Sequence, residues 1–330
     1  MLIIDAHCDT ALSVLEKGAD FYDNDCQLDI KRLLGEGLGD KDKTHGDGDK
    51  SHENGDGRVQ FFAAFADPVK YRGSALTRVH SIIDCVYRAQ ELYNDKISVC
   101  ASAKDIDKAI AEDKVAAILT VEGGEALNGE LSVLRQLYRI GVRSLTLAWN
   151  HRNLLADGSG ERFGAGLSEF GRQVVAEMNR LGMIVDVSHL CEASFYDVLE
   201  LAKAPVIASH SNSRVVCDHV RNLNDTQLEM IKINGGVIGI NFYSYFLNNT
   251  SEASIDDVVK HIEHICSVTG ENHIGIGSDF DGIECTPRGL EGPQCVYSLF
   301  DRLSRMNYSN VFIEKFAGLN FMRVISEVFK

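Results

Sequence analysis

The octapeptide IIDAHCDT, residues 3–10, closes an apolar run with His7 and Asp9. Side chains two apart in a strand share a face, so this pair aims two metal-binding groups at one point. The same ending recurs along the chain. AAILTV is followed by Glu122, MIVDVS by His189, PVIAS by His210 and IGIGS by Asp279. Any one of these is an ordinary way to end a strand, but five such runs form a set. Six donor-type residues exceed what a single zinc takes, which is four protein ligands or three plus water. Two ions ~3.5–4 Å apart share a bridging carboxylate, and Glu122 is the natural bridge. Imidazole with carboxylate suits Zn²⁺ best, with Mn²⁺, Fe²⁺ or Co²⁺ as alternatives. The second aspartate of DFDG, Asp281, stands farther from its strand and is expected to stabilise the following turn.

For these residues to meet, the runs that carry them must end on one face. Eight β-type runs are readable, at 2–6, 58–66, 115–121, 142–148, 183–188, 205–209, 236–241 and 274–278. Helical periodicity lies between them. Leu167, Phe170, Val174, Met178 and Leu181 recur at three or four, with Gly182 as a stop; Ile255, Val258, Val259, Ile262 and Ile265 do the same. Strands alternating with helices imply a parallel sheet, and eight units imply a TIM-type (β/α)₈ barrel, with its catalytic groups at the C-terminal ends of the strands. An open doubly wound sheet is the alternative. Its nucleotide-binding versions lack support, since no glycine-rich phosphate loop follows the first strand.

Composition narrows the function. The chain has 330 residues, 45% of them hydrophobic, read as a single barrel domain over 1–330. A net charge of −15 argues against a nucleic-acid partner. No apolar run is long enough to span a bilayer, so no membrane role is expected. The start MLIIDAHCDT has no basic n-region and reads as a strand rather than a signal peptide. Nine scattered cysteines without C-x-x-C pairs then read as reduced thiols in a cytoplasmic protein. The segment GDKDKTHGDGDKSHENGDG, residues 39–57, reads as a polar surface-loop insertion; its His45 and His52 match no calcium- or zinc-loop spacing.

DAHCDT, VEGGEAL, DVSHL, IASHSNSR and GIGSDFDG, in that order, resemble the motifs of the membrane (renal) dipeptidase family of dinuclear zinc peptidases, which are metal-dependent amidohydrolase-like barrels. The resemblance runs from residue 4 to about 283 and suggests a cytoplasmic, bacterial-type member. It implies two Zn²⁺ per chain, one held by His7 and Asp9, the other by His189 and His210, bridged by Glu122. Asp279 would be the acid/base residue, Arg221 the holder of the substrate carboxylate and Tyr243 a pocket residue. The implied reaction is hydrolysis of a dipeptide, including one with a C-terminal D-residue, by a metal-bridging hydroxide. The architecture also admits a homodimer. Trp149 stands where the family has a substrate-side histidine, and His151, two residues on, is the candidate for that role. Other hydrolases of this barrel type act on other small amides or esters, and many of those bridge their metals with a carboxylated lysine, whereas here the strand ends in Glu122. A non-catalytic metal-binding protein would be expected to have lost ligands, and this set is complete.

Overall fold

A computed structural model describes residues 1–36 and 56–330. Among these residues nine strands form one sheet: β1 (Leu2–Cys8), β2 (Gly57–Phe65), β3 (Ile97–Val99), β4 (Val115–Glu122), β5 (Val142–Thr146), β6 (Ile184–Asp186), β7 (Ile207–Ala208), β8 (Val237–Ile240) and β9 (Ile274–Ile276). All pairings are parallel. The order β2-β1-β9-β8-β7-β6-β5-β4 closes through a β2–β4 ladder, giving an eight-stranded barrel. The eight expected runs are its eight staves.

The ninth strand, β3, was not expected. It pairs with residues 115–117 of β4, on the edge that β5 takes over from Leu119 onward. Three residues, ISV, are too few to show a period. Of the proposed loop 39–57, Gly57 opens β2, and residues 39–55 lie outside the described residues.

The helices follow their punctuation. Glu169–Leu181 is capped by the Ser168 side chain and ended by Gly182 at φ 79°, a left-handed geometry that favours glycine. Ser254 and Asp257 form a capping box at the start of Ile255–Thr269. Alternate residues of the strands feed two apolar clusters. Ile4 and Ala6, Val59 and Phe61, and Ala116 and Ile118 pack with Phe321, Val324, Ile325 and Val328 of the final helix, Asn320–Val328. Phe62 and Ala64, with Val115, Ala117, Leu119 and Val121, join the larger cluster. Both faces of these strands are thus covered, as a parallel sheet requires.

β6, β7 and β9 stop short of the expected ends at 188, 209 and 278, for a local reason. The backbone N–H groups of Ser188 and Ser209 donate to Asp186 Oδ1, both at 3.0 Å, and that of Ser278 donates to Asp5 Oδ1 at 2.9 Å. Side-chain carboxylates replace the ladder just where the barrel opens. The backbones are close here: a Cβ on Gly277 would lie 1.8 Å from the Ser209 carbonyl oxygen and 3.1 Å from Gly239 Cα. Gly277→Ala should therefore cost about 3 kcal/mol, the upper end of overpacking. Urea unfolding checks this, and an unchanged midpoint would show that the strands can part.

Candidate metal centre

β1 and β4 bring His7 and Glu122 together, and the loops leaving β1, β6, β7 and β9 add Asp9, His189, His210 and Asp279. All six are buried. His7 Nε2 lies 3.4 Å from Asp9 Oδ2, 3.7 Å from Glu122 Oε2 and 3.7 Å from Asp279 Oδ1. The other oxygen of Glu122, Oε1, lies 2.9 Å from His189 Nε2 and 3.6 Å from His210 Nε2. Glu122 thus turns one oxygen toward the His7–Asp9 side and one toward the His189–His210 side. His189 and Asp279 both hold left-handed backbone, at φ 67°, a conformation that costs a non-glycine residue about 1–2 kcal/mol. The surrounding structure holds both residues in this conformation, with their side chains in the cluster.

The donor set suits a divalent transition metal. Among the described residues His7 Nε2 and Asp9 Oδ1 are buried without hydrogen-bond partners, which is rare and costly for protein atoms left to themselves. The Nε2 atoms of His189 and His210 face each other at 2.8 Å. Donor atoms of His7, Glu122 and His210, and separately of His7, Asp9 and Asp279, cluster within 4.8 Å. Electrostatics favour positive charge on the His7 side and neutral imidazoles on the His189–His210 side. Burial pushes Glu122 and Asp279 above the usual carboxylate range, and neighbouring Asp9 adds to this. Burial alone would deprotonate His7, but Glu122, Asp9 and Asp279 outweigh it and hold its proton. Burial, with the positive charges of Arg221 and His7, keeps His189 and His210 neutral, the form that ligates metal.

Arg221 is 6% exposed. Its Nη2 donates to the His210 carbonyl oxygen at 3.3 Å, the Phe246 ring lies 5.6 Å from its guanidinium carbon, and its Nε has no partner among the described residues. Burial lowers its pKa to about 10. Tyr243 packs on Phe246, with ring centroids 4.8 Å apart. Burial and a hydrogen bond to Glu284 push its phenol up.

The structure does not bring His151 to the centre. Its side chain is 64% exposed, with Nδ1 3.6 Å from the Glu161 carboxylate. The inward residue of that loop is Asn150, whose Oδ1 meets His189 Nδ1 at 2.9 Å. Trp149 lies between Phe65 and His189, at 5.0 and 6.3 Å. Past Asn150 the chain is drawn off by Arg152, which holds Asp157 through two hydrogen bonds. Asp281 also differs from expectation. It ties the β9 exit to the start of the helix Thr10–Lys17 and to the loop at Gln27, accepting from Thr10 Oγ1 at 2.5 Å and from the Gln27 N–H at 2.7 Å.

Several supporting residues escaped the sequence reading. Asn241 donates to Asp279 Oδ2 at 2.8 Å, and Ser209 Oγ meets His210 Nδ1 at 2.8 Å. Their signal was a polar residue within or just after an apolar strand.

Fold and donors together define a metallohydrolase-type barrel, with buried imidazoles and carboxylates at the C-terminal mouth. The chain belongs to the membrane dipeptidase family, peptidase family M19, whose profile matches residues 1–330. An uncharacterized dipeptidase of Schizosaccharomyces pombe is 41% identical over 73% of this chain and 60% of its own length. Dipeptidase tcpJ of Claviceps purpurea is 37% identical over 80% and 62%. The chain thus spans about three fifths of the length of these curated relatives. Among solved structures, the metallopeptidase dipeptidase AC superposes with a TM-score of 0.88 at 27% identity, covering 100% of this chain and 99% of that one. A metallopeptidase of Rhodobacter sphaeroides, liganded with a phosphinate mimic of L-Ala-D-Ala, gives 0.86 at 27%, covering 99% of each. Family membership carries metal dependence with it. Among the described residues, no helix is long and apolar enough to cross a membrane.

Proposed function

We propose that this chain is one catalytic domain, a dipeptidase that uses two Zn²⁺ ions, one at His7 and Asp9, the other at His189 and His210, with Glu122 between them. When bound, the ions supply a water acidic enough to ionise near neutral pH and a Lewis acid for the scissile carbonyl. Asp279 lies on the His7 side of the cluster, held by Asn241. It takes the proton from the attacking water and returns it to the leaving amine. Tyr243 and Phe246 wall the pocket, while His151 takes no part. All nine cysteines are free thiols, which supports a reducing, cytoplasmic setting.

The observation that carries the dipeptide reading is Arg221. A buried guanidinium tied to the backbone of His210, its Nε unpartnered among the described residues, calls for an anion beside the proposed metal centre. A substrate's C-terminal carboxylate is such an anion. Anchored one residue from the cleaved bond, it leaves no room for a longer C-terminal extension. The mimic of L-Ala-D-Ala bound by the Rhodobacter sphaeroides structure supports acceptance of a C-terminal D-residue here.

The test is a panel of L,L- and L,D-dipeptides with their C-terminal amides, given to the zinc-loaded chain. Free dipeptides should be cleaved and amides strongly disfavoured. Arg221→Lys keeps the charge but loses the planar fork. Losing one charge-assisted hydrogen bond, about 1.5–3 kcal/mol, lowers kcat/KM about 10- to 150-fold, mostly through KM. Equal cleavage of acid and amide by the wild type would favour a hydrolase of other small amides or esters.

A further inference from the structure

We infer that Asp186 and Ser209 are positioning residues that set the direction of the hydrogen-bond chain behind His210, so that its Nε2 presents a lone pair to the metal centre. The inference rests on the proposed metal-binding role of His210. Asp186 ends β6 and is 3% exposed. Its Oδ1 accepts from the backbone N–H groups of Ser188 and Ser209, both at 3.0 Å. Its Oδ2 accepts from Ser209 Oγ at 2.5 Å and Thr146 Oγ1 at 2.8 Å. A carboxylate only accepts, so the Ser209 hydroxyl proton points at Asp186. Ser209 Oγ then has only lone pairs left for His210 Nδ1, 2.8 Å away. Nδ1 must carry the ring proton, which leaves Nε2 bare, 2.8 Å from His189 Nε2 and 3.6 Å from Glu122 Oε1.

The barrel contains a second clamp of the same build. Asp5 accepts from the Ser278 N–H at 2.9 Å and from Ser278 Oγ at 2.5 Å, and Ser278 precedes Asp279 as Ser209 precedes His210. Its serine also reaches the His7 carbonyl oxygen, at 3.3 Å, and among the described residues it meets no imidazole. It fixes position and sets no tautomer.

An isostere reverses the first chain. In Asp186→Asn the amide oxygen must stay at the Oδ1 position, because two backbone N–H groups point there and cannot turn away. The amide NH₂ then donates to Ser209 Oγ, which turns its own proton toward His210 Nδ1. The ring proton is driven to Nε2, where it blocks the metal. Ser209→Ala removes the relay without reversing it.

Zinc affinity, measured by chelator competition, tests this without reference to turnover. Loss of an outer partner weakens metal binding about 10- to 100-fold. Asp186→Asn should weaken one zinc ion about 100-fold and Ser209→Ala about 10-fold. The double variant should recover to the level of Ser209→Ala, because no hydroxyl remains to be reversed. A double variant as weak as Asp186→Asn, or weaker, makes the clamp mere packing and overturns the inference. Ser278→Ala should give no such rescue of Asp5→Asn. Should Asp186→Asn not fold, nitrogen NMR of the metal-free wild type decides: His210 protonated on Nδ1 is expected, and protonation on Nε2 overturns the inference. His210→Ala separates the two levels. If it still binds two full equivalents of zinc, the metal role of His210 fails. If it loses zinc while Asp186→Asn does not, only the clamp fails.

Discussion

Glu122→Gln should leave a folded barrel that holds both metal ions poorly and cleaves dipeptides at least about 1,000-fold more slowly. The size follows from what the side chain joins. Its Oε2 lies 3.7 Å from His7 Nε2, and its Oε1 lies 2.9 Å and 3.6 Å from the Nε2 atoms of His189 and His210. One carboxylate therefore serves both halves of the donor set. Glutamine keeps the shape but removes the charge and turns one acceptor into a donor facing lone pairs. Metal ions contribute several kcal/mol of transition-state stabilisation, and about 4 kcal/mol is a factor of about 1,000. Elemental analysis should find about two zinc equivalents in the wild type and a loss of both in the variant. Two full equivalents with near-normal turnover would remove Glu122 from the bridging position.

Asp279→Asn should behave differently, with turnover falling about 100- to 10,000-fold, the range for a lost general acid/base, while zinc content stays near that of the wild type. The Asp279 side chain is buried, its Oδ2 accepts from Asn241 and its Oδ1 lies 3.7 Å from His7 Nε2. Burial pushes its carboxyl upward, toward the working range of a residue that must both take and return a proton. The measurement is kcat beside metal content. If zinc is lost in step with turnover, Asp279 is a ligand, as its place in the His7–Asp9–Asp279 cluster would allow. Turnover within tenfold of the wild type would take it out of the proton path.

The strand-end donors were legible because the barrel puts every strand's C-terminal end on one face. Five endings could therefore be read as one place without any knowledge of distances. The extra strand β3 was not legible, because ISV carries too little pattern and forms only against β4. His151 was misplaced by a property of loops: neighbouring residues turn their side chains in different directions. Asn150 reaches His189, while His151, one residue later, faces Glu161 in solvent. Asp281 was read through its nearest turn, but its partners are Thr10 and Gln27, more than 250 residues away in the chain.

Alternation of apolar runs with helical periods, and the residue type at each run's end, determined the barrel and which donor-type side chains stand at its mouth from sequence alone. Those features are local: a strand's face and a helix's cap depend on neighbours a few residues away. Tertiary structure decided the rest. It made Glu122 face both the His7–Asp9 and the His189–His210 pairs, left the Arg221 Nε without a partner among the described residues, and stationed Asn150, Ser209 and Asn241 behind His189, His210 and Asp279. Each of those facts depends on a hydrogen-bond direction or a distance of a few ångströms between separate strands or loops. Such distances are set only when the sheet closes on itself.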